Sequence, residues 1–141
     1  MNFWDSSAIL PLLVSESTSE ATRQYLETQP DMAIWWATPV ECMSALARKE
    51  REGHLELPHM IAVGKNLDLI VRNSVSIDAT DRVRLLARKL LRRYPLRAAD
   101  SLQLAAACVL AGDATGDYGF VCNDERLTIA ASKEGFEVIS F

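Results

Sequence analysis

Residues 1–8, MNFWDSSA, contain the signal that decides the fold. Met1–Trp4 form an apolar run of strand length, Asp5 ends the run, and Ser6–Ala8 have the composition of a helix start. Residues 118–124, YGFVCND, repeat this pattern, with an apolar run that closes on an acidic residue and a short helical stretch after it. Both stretches therefore predict a strand that leads directly into a helix.

The rest of the chain continues to alternate short apolar runs with helical stretches. Further strands are predicted at Met32–Trp36, Val75–Ile77 and Phe136–Phe141, and helices at about Thr18–Glu27, Thr38–Gly53, Pro58–Arg72, Thr80–Tyr94 and Ala98–Ala111. The last of these helices is apolar or small on nearly every face, which indicates burial on all sides. Such an alternation predicts the α/β class, with a mainly parallel central sheet flanked by helices on both faces.

Composition limits the classes of protein to consider. The 141 residues are 49% hydrophobic and 24% charged, as in an ordinary globular domain, and we expect residues 1–141 to form one domain. Three scattered cysteines without a C-x-x-C pair predict neither a disulfide framework nor a zinc site. The most apolar stretch, Leu102–Ala111, is far shorter than a membrane span, so we expect a cytoplasmic protein without a membrane partner.

Four acidic residues are candidates for chemistry because the predicted elements bring them to one end of the sheet. Ligands of open α/β sheets bind outside the carboxyl ends of the strands. Asp5 and Asp124 each close a predicted strand. Glu41 lies one turn into the helix that follows the second strand, and Asp100 lies in the first turn of an otherwise apolar helix.

Each of these acids also has a structural interpretation. Asp5 and Asp124 are typical helix N-caps, and Glu41 would complete a capping box with Thr38. Asp100 would interact favourably with a helix dipole. Four such charges at one sheet edge would repel one another without a cation, however, so together they indicate a metal site. Carboxylates with no histidine or thiol expected among them favour a hard ion, Mg²⁺ or Mn²⁺, which suits phosphodiester hydrolysis.

A basic stretch precedes Asp100. Residues 82–97 hold seven of the fifteen basic residues and no acid, although the net charge of the chain is -4. That net charge argues against binding of nucleic acid by bulk positive charge, and the basic run alone is also typical of a solvated helix face. Next to an acidic pocket, it favours a nuclease, with Arg93 and Arg97 as candidate residues for binding the phosphates of its substrate.

These motifs resemble those of PIN domains and, more narrowly, of VapC toxins. The similarity runs over essentially the whole chain and is most specific in DSSA (residues 5–8) and RAADSLQLA (residues 97–105), with Glu41 and NDERL (residues 123–127) in support. It implies a PIN-like ribonuclease domain whose Asp5, Glu41, Asp100 and Asp124 form the acidic site of a Mg²⁺- or Mn²⁺-dependent endoribonuclease. It also implies an auxiliary role for Ser7, a homodimer, and inhibition by a cognate VapB-like antitoxin.

One residue departs from the family pattern. Cys122 stands two positions before the last acid, where similar proteins usually have Thr or Ser, and this makes Asp124 the least secure of the four. A free cysteine there also suits plain strand core.

Two other classes of protein remain as alternatives. A catalytically silent PIN-like module that binds RNA or protein would keep the fold and the basic helix but would not depend on metal. A phosphotransfer or receiver domain would be expected to have an Asp-x-Asp start or a lysine at the end of a late strand, and the sequence has neither.

Overall fold

A computed structural model describes residues 1–141, which form a single α/β domain of five strands and seven α-helices. The strands are β1 (Asn2–Trp4), β2 (Met32–Trp35), β3 (Val75–Ile77), β4 (Gly119–Val121) and β5 (Glu137–Ile139). The helices are α1 (Ser6–Leu13), α2 (Ser19–Thr28), α3 (Thr38–Arg51), α4 (Leu57–Arg72), α5 (Asp81–Arg93), α6 (Ala98–Ala111) and α7 (Glu125–Lys133). None of these helices is both long and apolar enough to cross a membrane.

The sheet is entirely parallel, in the order β3-β2-β1-β4-β5. The chain builds the sheet outward from β1 through β2 to β3, and then returns to place β4 on the other side of β1. The neighbours β1 and β4 therefore flank the point where the strand order reverses, which is where open α/β sheets bind ligands. The predicted fold class is confirmed.

Side chains of successive strand residues enter two separate cores. Phe3 packs with Phe120 on the face covered by α5, α6 and α7, whereas Trp4 packs with Val121 on the face covered by α1, α3 and α4. This division follows from the two-residue period of a strand, because the central strands β1, β2 and β4 are buried on both faces. The helices on both faces were predicted from the alternation of strands and helices along the chain.

Helix α6 is the central helix of its face. No residue from Asp100 to Ala111 is exposed, and Ala105, Ala106 and Ala107 are completely buried. Their small side chains let α6 lie close to α5 and the sheet, which the sequence indicated by the lack of a polar face. The first turn of α6 projects beyond this core, at the end of the sheet where the chain leaves β1 and β4.

One local prediction is wrong. The N-cap of α3 is Ala37 instead of Thr38, and no side chain caps this helix, so the capping box of Thr38 and Glu41 does not form. Thr38 is buried and bonds to Gln103 of α6. The long-range partner replaces the local one because packing of α3 against α6 places a buried amide beside the hydroxyl.

Candidate active site

The strand register brings two of the predicted acids together. Trp4 of β1 pairs with Val121 of β4, so Asp5 and Cys122 emerge side by side, and Asp124 follows two residues later. The first turns of α3 and α6 supply Glu41 and Asp100 to the same place. An open cavity of about 630 Å³ lies there, and Glu41, Asp100 and Asp124 line it together with Ser6 and Ser7.

Asp5 is the most buried of the four acids, at 3% exposure. Its Oδ2 accepts hydrogen bonds from the Ser7 backbone N–H at 3.0 Å and from Ser7 Oγ at 2.5 Å, so it also caps α1 as predicted. Burial raises the pKa of Asp5, although the hydrogen bonds from Ser7 oppose this effect. Ser7, in the first turn of α1, thus orients the Asp5 carboxylate.

Glu41 is held by one of its two oxygens. Oε2 accepts hydrogen bonds from Ser6 Oγ and from Gln103 Nε2, both at 3.0 Å. Burial raises the pKa of Glu41, the hydrogen bonds from Gln103 and Ser6 lower it, and the charges of Asp5 and Asp100 raise it further. Asp5 and Asp100 are thus close enough to Glu41 for their negative charges to repel its carboxylate.

Asp100 and Asp124 line the cavity and are more accessible than Asp5. Burial is the largest cause that raises the pKa of Asp100, and the charge of Asp124 is the next. Asp124 is exposed, and its Oδ1 accepts a hydrogen bond from the Leu127 backbone N–H at 2.9 Å. It therefore caps α7 and lines the cavity at once, which leaves Oδ2 free.

The expectation that no thiol stands among the carboxylates is wrong. Cys122 Sγ lies 3.5 Å from Asp5 Oδ2 and 3.5 Å from Ser7 Oγ, and it accepts the Asp124 backbone N–H at 3.3 Å. Burial raises the pKa of the Cys122 thiol, so it stays protonated and acts here as a hydrogen-bonding group instead of a thiolate. Cys122 is also part of the core, as the sequence indicated.

Three arginines line the same cavity, and only one of them was predicted. Arg97 was singled out from the basic stretch, while Arg48 of α3 and Arg126 of α7 were not. None of the three forms an ion pair within the protein. Arg93, in contrast, does not line the cavity, because its Nη1 pairs with Glu134 Oε1 at 2.9 Å.

The donor set suits a hard divalent cation, although the side chains as placed do not close around one. No group of three or more His, Cys, Asp or Glu side chains has the arrangement to hold a metal ion. The cavity nevertheless presents carboxylate and hydroxyl oxygens beside its arginines, with a free oxygen on both Glu41 and Asp124. Oxygen donors whose charges repel one another are the chemistry that Mg²⁺ and Mn²⁺ require.

A family model matches residues 3–132, and that model describes the PIN domain. The chain belongs to the PIN domain family. PIN domains are generally nucleases that use divalent metal ions, and an acidic cavity at the strand ends of this PIN domain agrees with that general activity.

Solved structures with the same fold share little sequence with this PIN domain. A toxin–antitoxin complex from Klebsiella pneumoniae matches with a TM-score of 0.66 at 15% identity, over 99% of this chain and 96% of that chain. FitAcB from Neisseria gonorrhoeae matches with a TM-score of 0.68 at 17% identity, over 99% and 96% of the two chains. At such identities the likeness shows the fold alone. A search among curated protein sequences finds no match.

Four residues that the structure brings to the site were not predicted from the sequence. These residues are Ser6, Arg48, Gln103 and Arg126. Two of them carried a usable signal, since Gln103 lies three residues after Asp100 and Arg48 seven residues after Glu41, spacings that share a helix face. The positions of Ser6 and Arg126 depend on how separate elements meet.

Proposed function

We propose that this PIN domain is a metal-dependent endoribonuclease of the VapC toxin type. The observation that carries the proposal is one cavity, at the switch point of the sheet, that is lined by acids from three elements and by three unpaired arginines. The acids suit divalent cations, and the arginines suit the phosphates of a polyanion.

Each acidic residue has a distinct part in this proposal. Asp5, Asp100 and Asp124 would hold Mg²⁺ or Mn²⁺, and Ser7 assists by fixing the Asp5 carboxylate through two hydrogen bonds. A divalent ion bound there would supply Lewis-acid polarisation of the scissile phosphate and would make water a better nucleophile. Glu41 uses its free oxygen to bind the ion or to orient the attacking water.

The arginines bind the RNA backbone on either side of the cleaved bond. Arg97 borders α6, Arg48 lies on α3 and Arg126 on α7, so the cavity receives positive charge from three directions. Their guanidinium groups have no carboxylate partner, and they are therefore available to phosphate oxygens. Arg93, which pairs with Glu134, contributes to RNA binding only as part of the more distant basic surface of α5.

The chemical outcome follows from in-line attack by water on phosphorus. A new P–O bond to the water oxygen forms as the bond from phosphorus to the 3′-oxygen breaks. The 3′-oxygen takes up a proton, so the products carry a 5′-phosphate and a 3′-hydroxyl. A cyclic 2′,3′-phosphate formed without metal would contradict this mechanism.

Partners are proposed from the family likeness. We propose that the RNA substrate is tRNA or rRNA and that the protein is a cytoplasmic homodimer. We also propose that a cognate VapB-like antitoxin inhibits it by blocking the cavity. Among the structures of similar fold, one is a toxin–antitoxin complex and another is FitAB bound to a DNA fragment, which supports the antitoxin as a partner.

The test is cleavage of a pool of structured RNAs, including tRNA and ribosomal fragments. The purified protein is assayed with Mg²⁺, with Mn²⁺ and with a chelator, and Asp100→Asn is assayed beside it. We expect discrete products that carry 5′-phosphates and that vanish with the chelator and in the variant. The matched control is Asp68→Asn, which removes an exposed carboxylate from α4 and is expected to cleave normally.

The alternative, a catalytically silent module, gives a different result in the same assay. It would bind the RNA pool without cleaving it under any metal condition. Cleavage that survives either the chelator or Asp100→Asn would instead indicate a contaminating nuclease or another chemistry.

A further inference from the structure

Gln103 hydrogen-bonds to Glu41 of the site, although it does not line the cavity and is completely buried. It lies in α6 between Leu102 and Leu104 and next to a run of alanines. A primary amide in such surroundings costs free energy unless its donors and acceptor are paired. A leucine or methionine would fill this position without that cost, so the amide calls for a specific reason.

The partners of Gln103 explain its burial. Nε2 donates one hydrogen bond to Glu41 Oε2 at 3.0 Å and another to Thr38 Oγ1 at 3.0 Å. The Glu41 carboxylate can only accept, which fixes the nitrogen of the amide on that side. Both amide hydrogens are therefore used, and both connect α6 to the first turn of α3.

Glu41 is thereby held asymmetrically. Ser6 Oγ donates to the same Oε2 at 3.0 Å, so two donors from two different helices converge on one oxygen. Glu41 Oε1 has no donor from the protein, and Glu41 lines the cavity. The pair of donors sets the torsion of the carboxylate, and only the free oxygen remains for a ligand in the cavity.

We propose that Gln103 is a positioning residue that, together with Ser6, holds Glu41 so that its free oxygen points at the reacting groups. This inference rests on the proposed nuclease function and assigns to that site a residue beyond its four acids. Gln103 lies one helical turn after Asp100, so α6 carries both an acid of the site and the group that orients another acid. A shift of α6 would therefore displace Asp100 and Glu41 together.

A double-mutant cycle tests the role. Gln103→Met keeps the approximate length and volume of the side chain but removes both hydrogen-bond donors. We expect it to lower kcat for RNA cleavage about 10-fold to 100-fold, with KM little changed. In the Glu41→Ala background, the same change is expected to cause no further loss. Non-additivity of this kind identifies action through Glu41.

The control is Ser101→Ala, which removes another buried polar group from α6. Ser101 Oγ bonds only to the Ala98 carbonyl of its own helix, so we expect kcat to stay at the wild-type value. Equal losses from Gln103→Met in both backgrounds would overturn the proposal in favour of a purely structural role. An unchanged kcat in the Gln103→Met single variant would also overturn it.

A second readout needs neither metal nor cleavage. NMR of the isotope-labelled, metal-free protein should show the Gln103 side-chain amide protons protected from solvent exchange, and one of them should shift strongly in Glu41→Ala. If the wild type cleaves no RNA with either metal, the proposed function fails. The spectrum then still tests whether the Gln103 amide donates a hydrogen bond to Glu41. Rapidly exchanging amide protons, or a signal that ignores Glu41, would overturn the inference.

Discussion

At the residue scale, Asp100 is the position where substitution best distinguishes an effect on catalysis from an effect on stability. It is half-buried among like charges, and the charge of Asp124 helps to raise its pKa. We expect Asp100→Asn to abolish cleavage and to leave the free energy of unfolding of the metal-free protein unchanged or higher, because the substitution relieves repulsion. Urea unfolding with a chelator present measures this. A loss of more than about 2 kcal/mol would show a structural hydrogen-bonding role instead.

The same repulsion predicts a pH dependence. The pKa values of Asp5, Glu41 and Asp100 are raised above their ordinary range, chiefly by burial, so the native state binds protons at a pH where the unfolded chain does not. The metal-free protein should therefore gain stability as the pH falls from about 7 toward the ordinary carboxyl pKa of about 4.

This gain should be smaller in Asp100→Asn and unaltered in Asp68→Asn, whose carboxylate is exposed on α4. The measurement is the free energy of unfolding in urea at several pH values, with a chelator present throughout. A free energy of unfolding that decreases steadily as the pH is lowered over this range would contradict the prediction. It would mean that paired carboxylates dominate and that the site is not under repulsive strain.

At the element scale, the meeting of α3, α6 and α7 decides which arginines reach the substrate. Arg97→Gln and Arg48→Gln should each raise KM for RNA severalfold with kcat little changed, and each should reduce the salt slope of binding by about 0.7, the value for one lost phosphate contact on a single strand. Arg93→Gln should change the salt slope less, because Arg93 already pairs with Glu134. Equal effects from all three would place the RNA along α5 instead of in the cavity.

Helix α6 also depends on its small residues. Ala106 is completely buried against the sheet and the neighbouring helices, so Ala106→Leu should destabilise the protein by about 1 to 3 kcal/mol through overpacking. Ala98→Leu, at the exposed first position of the same helix, is the matched control and should cost much less. Thermal or urea unfolding compares the two, and equal losses would mean that α6 is not tightly packed.

At the scale of the whole molecule, metal binding should stabilise the fold. An ion that binds only the native state adds about 2.7 kcal/mol at a hundredfold excess over its Kd, which corresponds to a rise in Tm of roughly 5 to 10 °C for a domain of this size. We expect Mn²⁺ to raise the Tm of the wild type and to have little effect on Asp100→Asn. An equal rise in both proteins would place the ion elsewhere on the surface.

The fold class and the four acids followed from local sequence. Apolar runs of strand length alternate with helical stretches, and this periodicity depends only on neighbouring residues, so all five strands and the central helix were predicted. Asp5 and Asp124 were recognisable because each directly follows a strand, and the carboxyl ends of parallel strands meet at one edge.

Contacts between distant residues could not be read in the same way. The capping box of Thr38 and Glu41 satisfied every local rule, yet both side chains bond to Gln103, which is more than sixty residues away in the chain. The basic stretch before Asp100 appears uniform in sequence, but tertiary packing brings Arg97 to the cavity and Arg93 to Glu134.

The sequence by itself therefore determined the elements, their order and the acids at the strand ends, because strand and helix periodicity and helix starts are local properties. The tertiary structure alone decided which side chains orient those acids and which arginines accompany them. The physical reason is that hydrogen bonds and charge pairs depend on distances of about 3 Å, which strand register and helix packing set across the whole chain.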